Sequence, residues 1–378
     1  MPRDPVPERL VEKAEVYGMP EIRFWGDEKS AALDRSLKLR VSQSVATRLP
    51  SVRAEPVFDV KYLALSGGAG DGAYGAGLLC GWTTAGTRPE FEIVTGVSTG
   101  ALMAPFAFLG PAYDRQLREL YTTMSTQQIM TAQILPGLLG GVALADSAPL
   151  ADHIRRYVDR AVLAAIGAQH KKGRRLFVAT TNLDAQRPVI WDMGAIASIG
   201  TPQADDLFRS VLLASASIPG GLPPVHIKVT AGGKHYEEMH VDGGPTNQVF
   251  FLPMQVLLAN YSKGHIKTPI RRHLFVIRNT KVAPEFEAVK NSTLKIAERS
   301  LVTLTKSQGV GDLYRLYIEA KANNMSFQVA AIPASFRLVS KEPFDPAYMR
   351  KLFDVGYEQG RMGSAWSAAP PGLLSPSR

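Results

Sequence analysis

Apolar positions along the chain fall into short runs that stop at glycines. Tyr62-Leu63-Ala64-Leu65-Ser66 is a continuous apolar run of strand length. It enters Gly67-Gly68-Ala69-Gly70-Asp71-Gly72-Ala73-Tyr74-Gly75-Ala76-Gly77, and an apolar helix is expected from Ala76 to Trp82. The pattern repeats about one βαβ step later: the β-branched run Ile93-Val94-Thr95 ends in Gly96-Val97-Ser98-Thr99-Gly100, and an apolar helix begins at Ala101. Two strand–turn–helix units in succession predict a mainly parallel sheet with helices on both faces.

Downstream, Ala148 to Ile166 reads as one amphipathic helix, Arg175 to Asn182 as a strand, Asp184 to Trp191 as a hairpin and Leu207 to Ser217 as a helix. His235 to Val241 is a strand running into Asp242-Gly243-Gly244-Pro245. Arg272 to Arg278 is a late core strand, and a helix follows from about Phe286 to Ser307. Between residues 113 and 147 an apolar, Met-containing stretch (Met124, Ile129, Met130, Ile134, then Leu135 to Val142) is read either as the lining or lid of an apolar pocket or as a buried connection. Residues 1–55 are polar and interrupted by proline, with a helix from Ser30 to Arg48, and are taken as an arm on the main domain. That domain is placed at 56–367 and a Pro/Ser-rich, disordered tail at 368–378.

Composition narrows the classes. The chain has 378 residues, 45% of them hydrophobic, and one cysteine, which excludes a disulfide framework and a cysteine-based metal site within one chain. No metal and no cofactor are expected. The net charge of +9 reads first as a solvated basic surface, with an anionic partner, phospholipid headgroups or nucleic acid, as the alternative. No zinc-finger spacing or Arg-rich run supports a nucleic-acid partner. No apolar run reaches the roughly 18 residues of a spanning helix. The N-terminus lacks the apolar core of a signal peptide, so the expected location is cytoplasmic, with export or membrane attachment after removal of a leader as the alternative.

The chemistry centres on Ser98. A Gly-x-Ser-x-Gly turn between strand and helix presents its serine in a strained conformation at a helix N-terminus, and Gly96 and Gly100 remove the Cβ atoms that would clash. The upstream loop has two readings. Gly70-x-Gly72-x-x-Gly75 matches a dinucleotide fingerprint, but the acidic residues about 20 positions on, Glu90 and Glu92, precede or begin the strand rather than end it. Alternatively, the glycines expose backbone N–H groups as an oxyanion hole. A serine needs a base. After Asp242 only His265 and His273 remain as late histidines, and neither carries a local catalytic feature. Asp242 ends a strand at a Gly-Gly turn, as Ser98 does at its own turn, and is the better candidate.

Three blocks, Leu65 to Ala73, Gly96 to Gly100 and Asp242-Gly243-Gly244, resemble in order and spacing the signatures of patatin-like phospholipases, including bacterial members. Two further blocks support the resemblance: Ala179 to Asp184 with Arg187-Pro188-Val189, and Ala214 to Pro219 with Pro223-Pro224. The resemblance runs from about residue 60 to 255. It implies a three-layer α/β/α sandwich, here with an N-terminal arm and a C-terminal helical extension, and lipid acyl hydrolysis by a Ser–Asp dyad without histidine. Carried over by residue, it makes Ser98 the nucleophile and Asp242 the base, with backbone N–H groups of Gly67, Gly68 and Ala69 as the oxyanion hole. Gly96, Thr99, Gly100, Gly243 and Gly244 support them. The chain departs from the family where the loop commonly has a third glycine and a basic residue: here these are Ala69 and Asp71. The expected substrate is a lipid or small ester. A non-catalytic, lipid- or protein-binding member and a nucleotide-binding enzyme are the rivals.

Overall fold

The computed structural model describes residues 3–52, 58–132, 143, 145–252 and 270–371. Its strands in chain order are β1 (Glu15–Val16), β2 (Arg23–Trp25), β3 (Phe58–Leu65), β4 (Ile93–Val97), β5 (Thr131–Ala132), β6 (Ala145–Asp146), β7 (Arg175–Asn182), β8 (Arg187–Asp192), β9 (Val225–Ala231), β10 (Lys234–Asp242), β11 (Ile270–Lys281) and β12 (Met325–Ile332). The main sheet runs β1-β9-β10-β7-β4-β3-β11-β12, with β8 also on β7 and β2 on β8. Its centre, β12-β11-β3-β4-β7, is parallel, and the flanking pairs are antiparallel.

Both faces of the sheet are covered, which is why its strands read as continuous apolar runs rather than as alternation. On one face Leu63 and Leu65 pack in a core with the helices Gly72–Thr84, Thr99–Leu109, Arg160–Lys171, Pro202–Ala216 and Pro346–Met362. On the other, Val60, Tyr62 and Ala64 meet Leu33 and Leu37 of helix Ala31–Val52 and Leu313 and Leu316 of helix Thr293–Ala322. The molecule is a three-layer α/β/α sandwich.

The register along β7 brings two distant segments together. β8 pairs with β7 over Phe177 to Asn182 and so occupies one edge. The other edge is shared: β4 takes Arg175 to Ala179, and β10 takes Thr180 to Asn182. Val97 therefore lies opposite Ala179 and Asp242 opposite Thr180, on adjacent residues of one strand. The ends of β4 and β10 meet head to head there.

Some elements differ from the sequence-based expectation. The stretch Ala148 to Ile166 is broken into Ala148–Tyr157 and Arg160–Lys171, because the Asp159 carboxylate caps the second helix by accepting the Val162 N–H at 2.9 Å. The late helix spans Thr293–Ala322 instead of ending near Ser307. Gly309 does not stop it; a Cβ there would lie 2.2 Å from the Arg278 guanidinium, so the glycine records a close approach. Residues 3–52 contribute β1 and β2 to the sheet. Of the expected tail, Ala369 is buried and the Pro371 carbonyl accepts the Tyr314 hydroxyl. Residues 372–378, and the apolar stretch from Ile134 to Val142, lie outside the described residues.

Candidate active site

Ser98 follows β4 and precedes helix Thr99–Leu109, with φ 55° and ψ −127°, a conformation that costs a non-glycine residue about 1–3 kcal/mol. The neighbouring backbone is too close for side chains: a Cβ on Gly96 would sit 2.5 Å from the Gly100 carbonyl oxygen, and one on Gly100 2.4 Å from that of Leu65. The strain is held by hydrogen bonds. The Ser98 N–H donates to Ser215 Oγ at 3.0 Å, whose own hydroxyl donates to the Ala179 carbonyl at 2.7 Å. The N–H groups of Ala101 and Leu102 donate to the Ser98 carbonyl.

Asp242 is 3% exposed. The Ser98 hydroxyl sits beside its carboxylate and favours the charged form, and the Gly244 N–H donates to Oδ1 at 2.6 Å. Burial pushes its pKa up to about 6, against the opposing pull of the Ser98 hydroxyl and the Gly244 N–H. Its N–H donates to the Ser217 carbonyl at 2.9 Å. The block Ala214 to Pro219 thus touches both residues, Ser215 at the serine and Ser217 at the aspartate.

Next to Ser98 lies the glycine-rich loop. A Cβ on Gly67 would be 3.2 Å from Ser98 Cβ. The Gly67 N–H, expected in an oxyanion hole, is already committed: it donates to the Gln248 carbonyl at 3.1 Å. The other two expected donors, Gly68 and Ala69, have N–H groups that meet no acceptor among the described residues. Gly68 (φ 153°) passes so close to Asn279 that a Cβ would overlap its carbonyl, and Ala69 has φ 47°. Asp71, at the loop's unusual position, accepts the Tyr348 hydroxyl of helix Pro346–Met362 at 2.7 Å.

Close protein contacts account for the other glycines. A Cβ at Gly70 would meet the Pro343 carbonyl, at Gly72 Thr99 and Tyr121, and at Gly75 the Asn279 side chain. Glu92 is ion-paired with Arg40, and Glu90 with Arg174. Nothing of the dinucleotide reading is needed to explain these residues. Thr99 bonds the Tyr121 hydroxyl at 2.7 Å, and a Cβ on Gly243 would meet the Ala179 carbonyl. His273 pairs with Asp59 and Ser326 toward the opposite end of the sheet, and its neighbour on β3 is Lys61. His265 lies outside the described residues. Among the described residues no group of three or more His, Cys, Asp and Glu could hold a metal.

Beyond Thr99 opens an apolar cavity of about 40 Å³. Its walls include Leu102, Phe106, Met124, Ile129, Leu150 and Leu212, so part of the Met-containing stretch does line a pocket.

Two contributions were not legible in the sequence. Gln248 bridges the glycine loop and the Asp242 turn, its Nε2 donating to the Gly244 carbonyl at 3.0 Å. Asp312 accepts the Gln248 N–H at 2.7 Å. The one available signal was Gly309, three positions before Asp312, where the helix passes close to Arg278.

The architecture is a three-layer α/β/α sandwich with a strained serine at a strand-to-helix turn. The chain belongs to the patatin-like phospholipase family, whose model matches residues 63–255, half of its length. Members of that family are lipid acyl hydrolases and esterases in general. No curated protein matches the chain. Among solved structures, it is similar to VipD from Legionella pneumophila at 10% identity and a TM-score of 0.38, over 82% of this chain and 67% of that one.

Proposed function

We propose that the protein is a serine acyl hydrolase that cleaves carboxylic esters of lipids through Ser98 and Asp242. The observation that carries this reading is the meeting of the strained Ser98 with the buried Asp242 carboxylate where the ends of β4 and β10 share β7. Asp242 takes the hydroxyl proton as Ser98 Oγ attacks the ester carbonyl carbon. The N–H groups of Gly68 and Ala69 stabilise the tetrahedral oxyanion, helped by the N-terminal dipole of helix Thr99–Leu109. On collapse, the proton passes from Asp242 to the departing alcohol or lysolipid. A water then gives its proton to the same carboxylate and attacks the acyl-serine, releasing the fatty acid and returning Ser98 its hydrogen. The apolar cavity beyond Thr99 takes the acyl chain. The basic surface favours anionic lipid.

Hydrolysis of p-nitrophenyl esters from C2 to C16 tests the reading. Wild type is expected to be active, and Ser98→Ala and Asp242→Asn are each expected to lose at least about 10³-fold in kcat while remaining folded. The apolar cavity predicts higher kcat/KM for esters longer than C2. Wild-type rates in Ser98→Ala would end the proposal. A folded wild type inert toward every ester and toward phospholipid vesicles would favour a binding role.

A further inference from the structure

We propose that Asp312 and Gln248 are positioning residues, a clamp that fastens the glycine-rich loop and the Asp242 turn to helix Thr293–Ala322 as one piece. The inference rests on the Ser98–Asp242 reading for its catalytic meaning, but the clamp itself is geometric. Asp312 lies on a helix outside the family match at 63–255. Its Oδ2 accepts two consecutive backbone N–H groups, from Gln248 at 2.7 Å and Val249 at 3.3 Å. Its Oδ1 is held by Arg315 at 3.1 Å.

Gln248 passes that anchorage on in two directions. Its carbonyl accepts the Gly67 N–H at 3.1 Å, fixing the loop where it packs on Ser98. Its side-chain amide donates to the Gly244 carbonyl at 3.0 Å, while the Gly244 N–H holds Asp242 Oδ1 at 2.6 Å. Segments near residues 67 and 244, far apart in sequence, thus converge on one residue whose backbone is held by one carboxylate. Neither segment has a strand partner at these positions. Asp312 is 5% exposed, so it is a charge kept inside against the cost of burial, with its oxygens satisfied by these donors. Misplacing oxyanion donors or a base by about 1 Å costs up to about 100-fold in rate.

The test compares wild type, Asp312→Ala, Asp312→Asn, Asp312→Glu and Gln248→Ala, as the full chain, by kcat and KM on p-nitrophenyl butyrate and by hydrogen exchange of the Gly67 amide. Asp312→Ala is expected to lower kcat about 10- to 100-fold with KM within about twofold, and to speed Gly67 exchange. Asp312→Asn keeps an acceptor oxygen and is expected to recover most of kcat. Gln248→Ala keeps both backbone bonds, so Gly67 stays protected while kcat falls. If Asp312→Ala does not fold, Asp312→Glu carries the test: it keeps the charge but displaces it by a methylene, and it should lower kcat and loosen Gly67. Folded variants at Asp312 with wild-type kcat and unchanged Gly67 exchange would overturn the clamp. Faster Gly67 exchange in a protein whose wild type hydrolyses no ester would uphold the clamp and defeat the dyad reading.

Discussion

At Asp242 the requirements of stability and chemistry oppose each other. Its carboxylate is buried among few donors, and its pKa rises to about 6. The folded protein keeps this proton longer than the unfolded chain does. The contribution to stability is therefore complete below about pH 4 and is lost as the pH climbs through about 6. Asn cannot ionise. Asp242→Asn should thus gain on wild type as the pH rises, reaching an advantage of up to about 3 kcal/mol at pH 8 in urea unfolding. In the same window, wild-type kcat/KM should rise with pH and level off above about 6, as the carboxylate becomes able to accept a proton. A stability difference that does not change between pH 4.5 and 8 would mean that Asp242 titrates like an ordinary surface aspartate.

Among the elements, helix Gly72–Thr84 shows why a glycine-rich run can form a helix. Gly77 and Gly81 face helix Pro346–Met362, and Gly356 and Gly360 face back. A Cβ on Gly81 would lie 1.9 Å from the Tyr357 carbonyl, and one on Gly360 2.3 Å from that of Leu78. Backbones this close leave no room for a methyl group, and the packing compensates for the poor helix propensity of glycine. Gly81→Ala would raise propensity by about 1 kcal/mol and still destabilise, by about 1–3 kcal/mol net, because the two helices must separate. Thermal unfolding of Gly81→Ala against Gly311→Ala, at an exposed helical glycine whose Cβ would meet open space, tests this. A raised Tm for Gly81→Ala would contradict the close packing. The loop that starts this helix also holds Asp71, which bonds Tyr348 of the opposite helix, so the same interface borders the site.

For the whole molecule, the segment before the family match reaches the strand that carries Asp242. Glu238, His240 and Asp242 alternate along β10 and share one face. Arg23 of β2 forms a two-pronged ion pair with Glu238. Glu238 bonds His240 Nε2 at 3.0 Å, and His240 Nδ1 bonds Thr180 Oγ1 at 2.9 Å, which also accepts the Trp191 N–H. Burial opposes the charge on Glu238, but Arg23 and His240 overcome it and bring its pKa down to about 2. Arg23→Leu would strand a buried carboxylate and cost about 3–5 kcal/mol of stability, whereas Arg23→Leu with Glu238→Leu should cost much less. Urea unfolding of the single and double variants checks this. Equal losses in both would show that Arg23 matters through packing alone.

The local chemistry was legible in the chain itself. Gly96 and Gly100 must be glycine because the turn around Ser98 leaves no room for a Cβ at either position, and a steric rule of that kind is written in a few adjacent letters. Apolar runs covered on both faces likewise named the parallel strands, and Asp242 stood out as a carboxylate ending a strand at a Gly-Gly turn. What the tertiary structure decided is which partners meet. The register on β7 put Asp242 beside Ser98, and the approach of Gln248 gave the Gly67 amide an acceptor. The packing of Gly309 on Arg278 lies within a helix that runs to Ala322, well past the end expected near Ser307. Asp312 lies beyond the helix that the sequence predicts as far as Ser307, and no motif marks it. Its role depends on Gln248, 64 positions away, and hydrogen bonds across such a distance leave no period or spacing in the sequence to read.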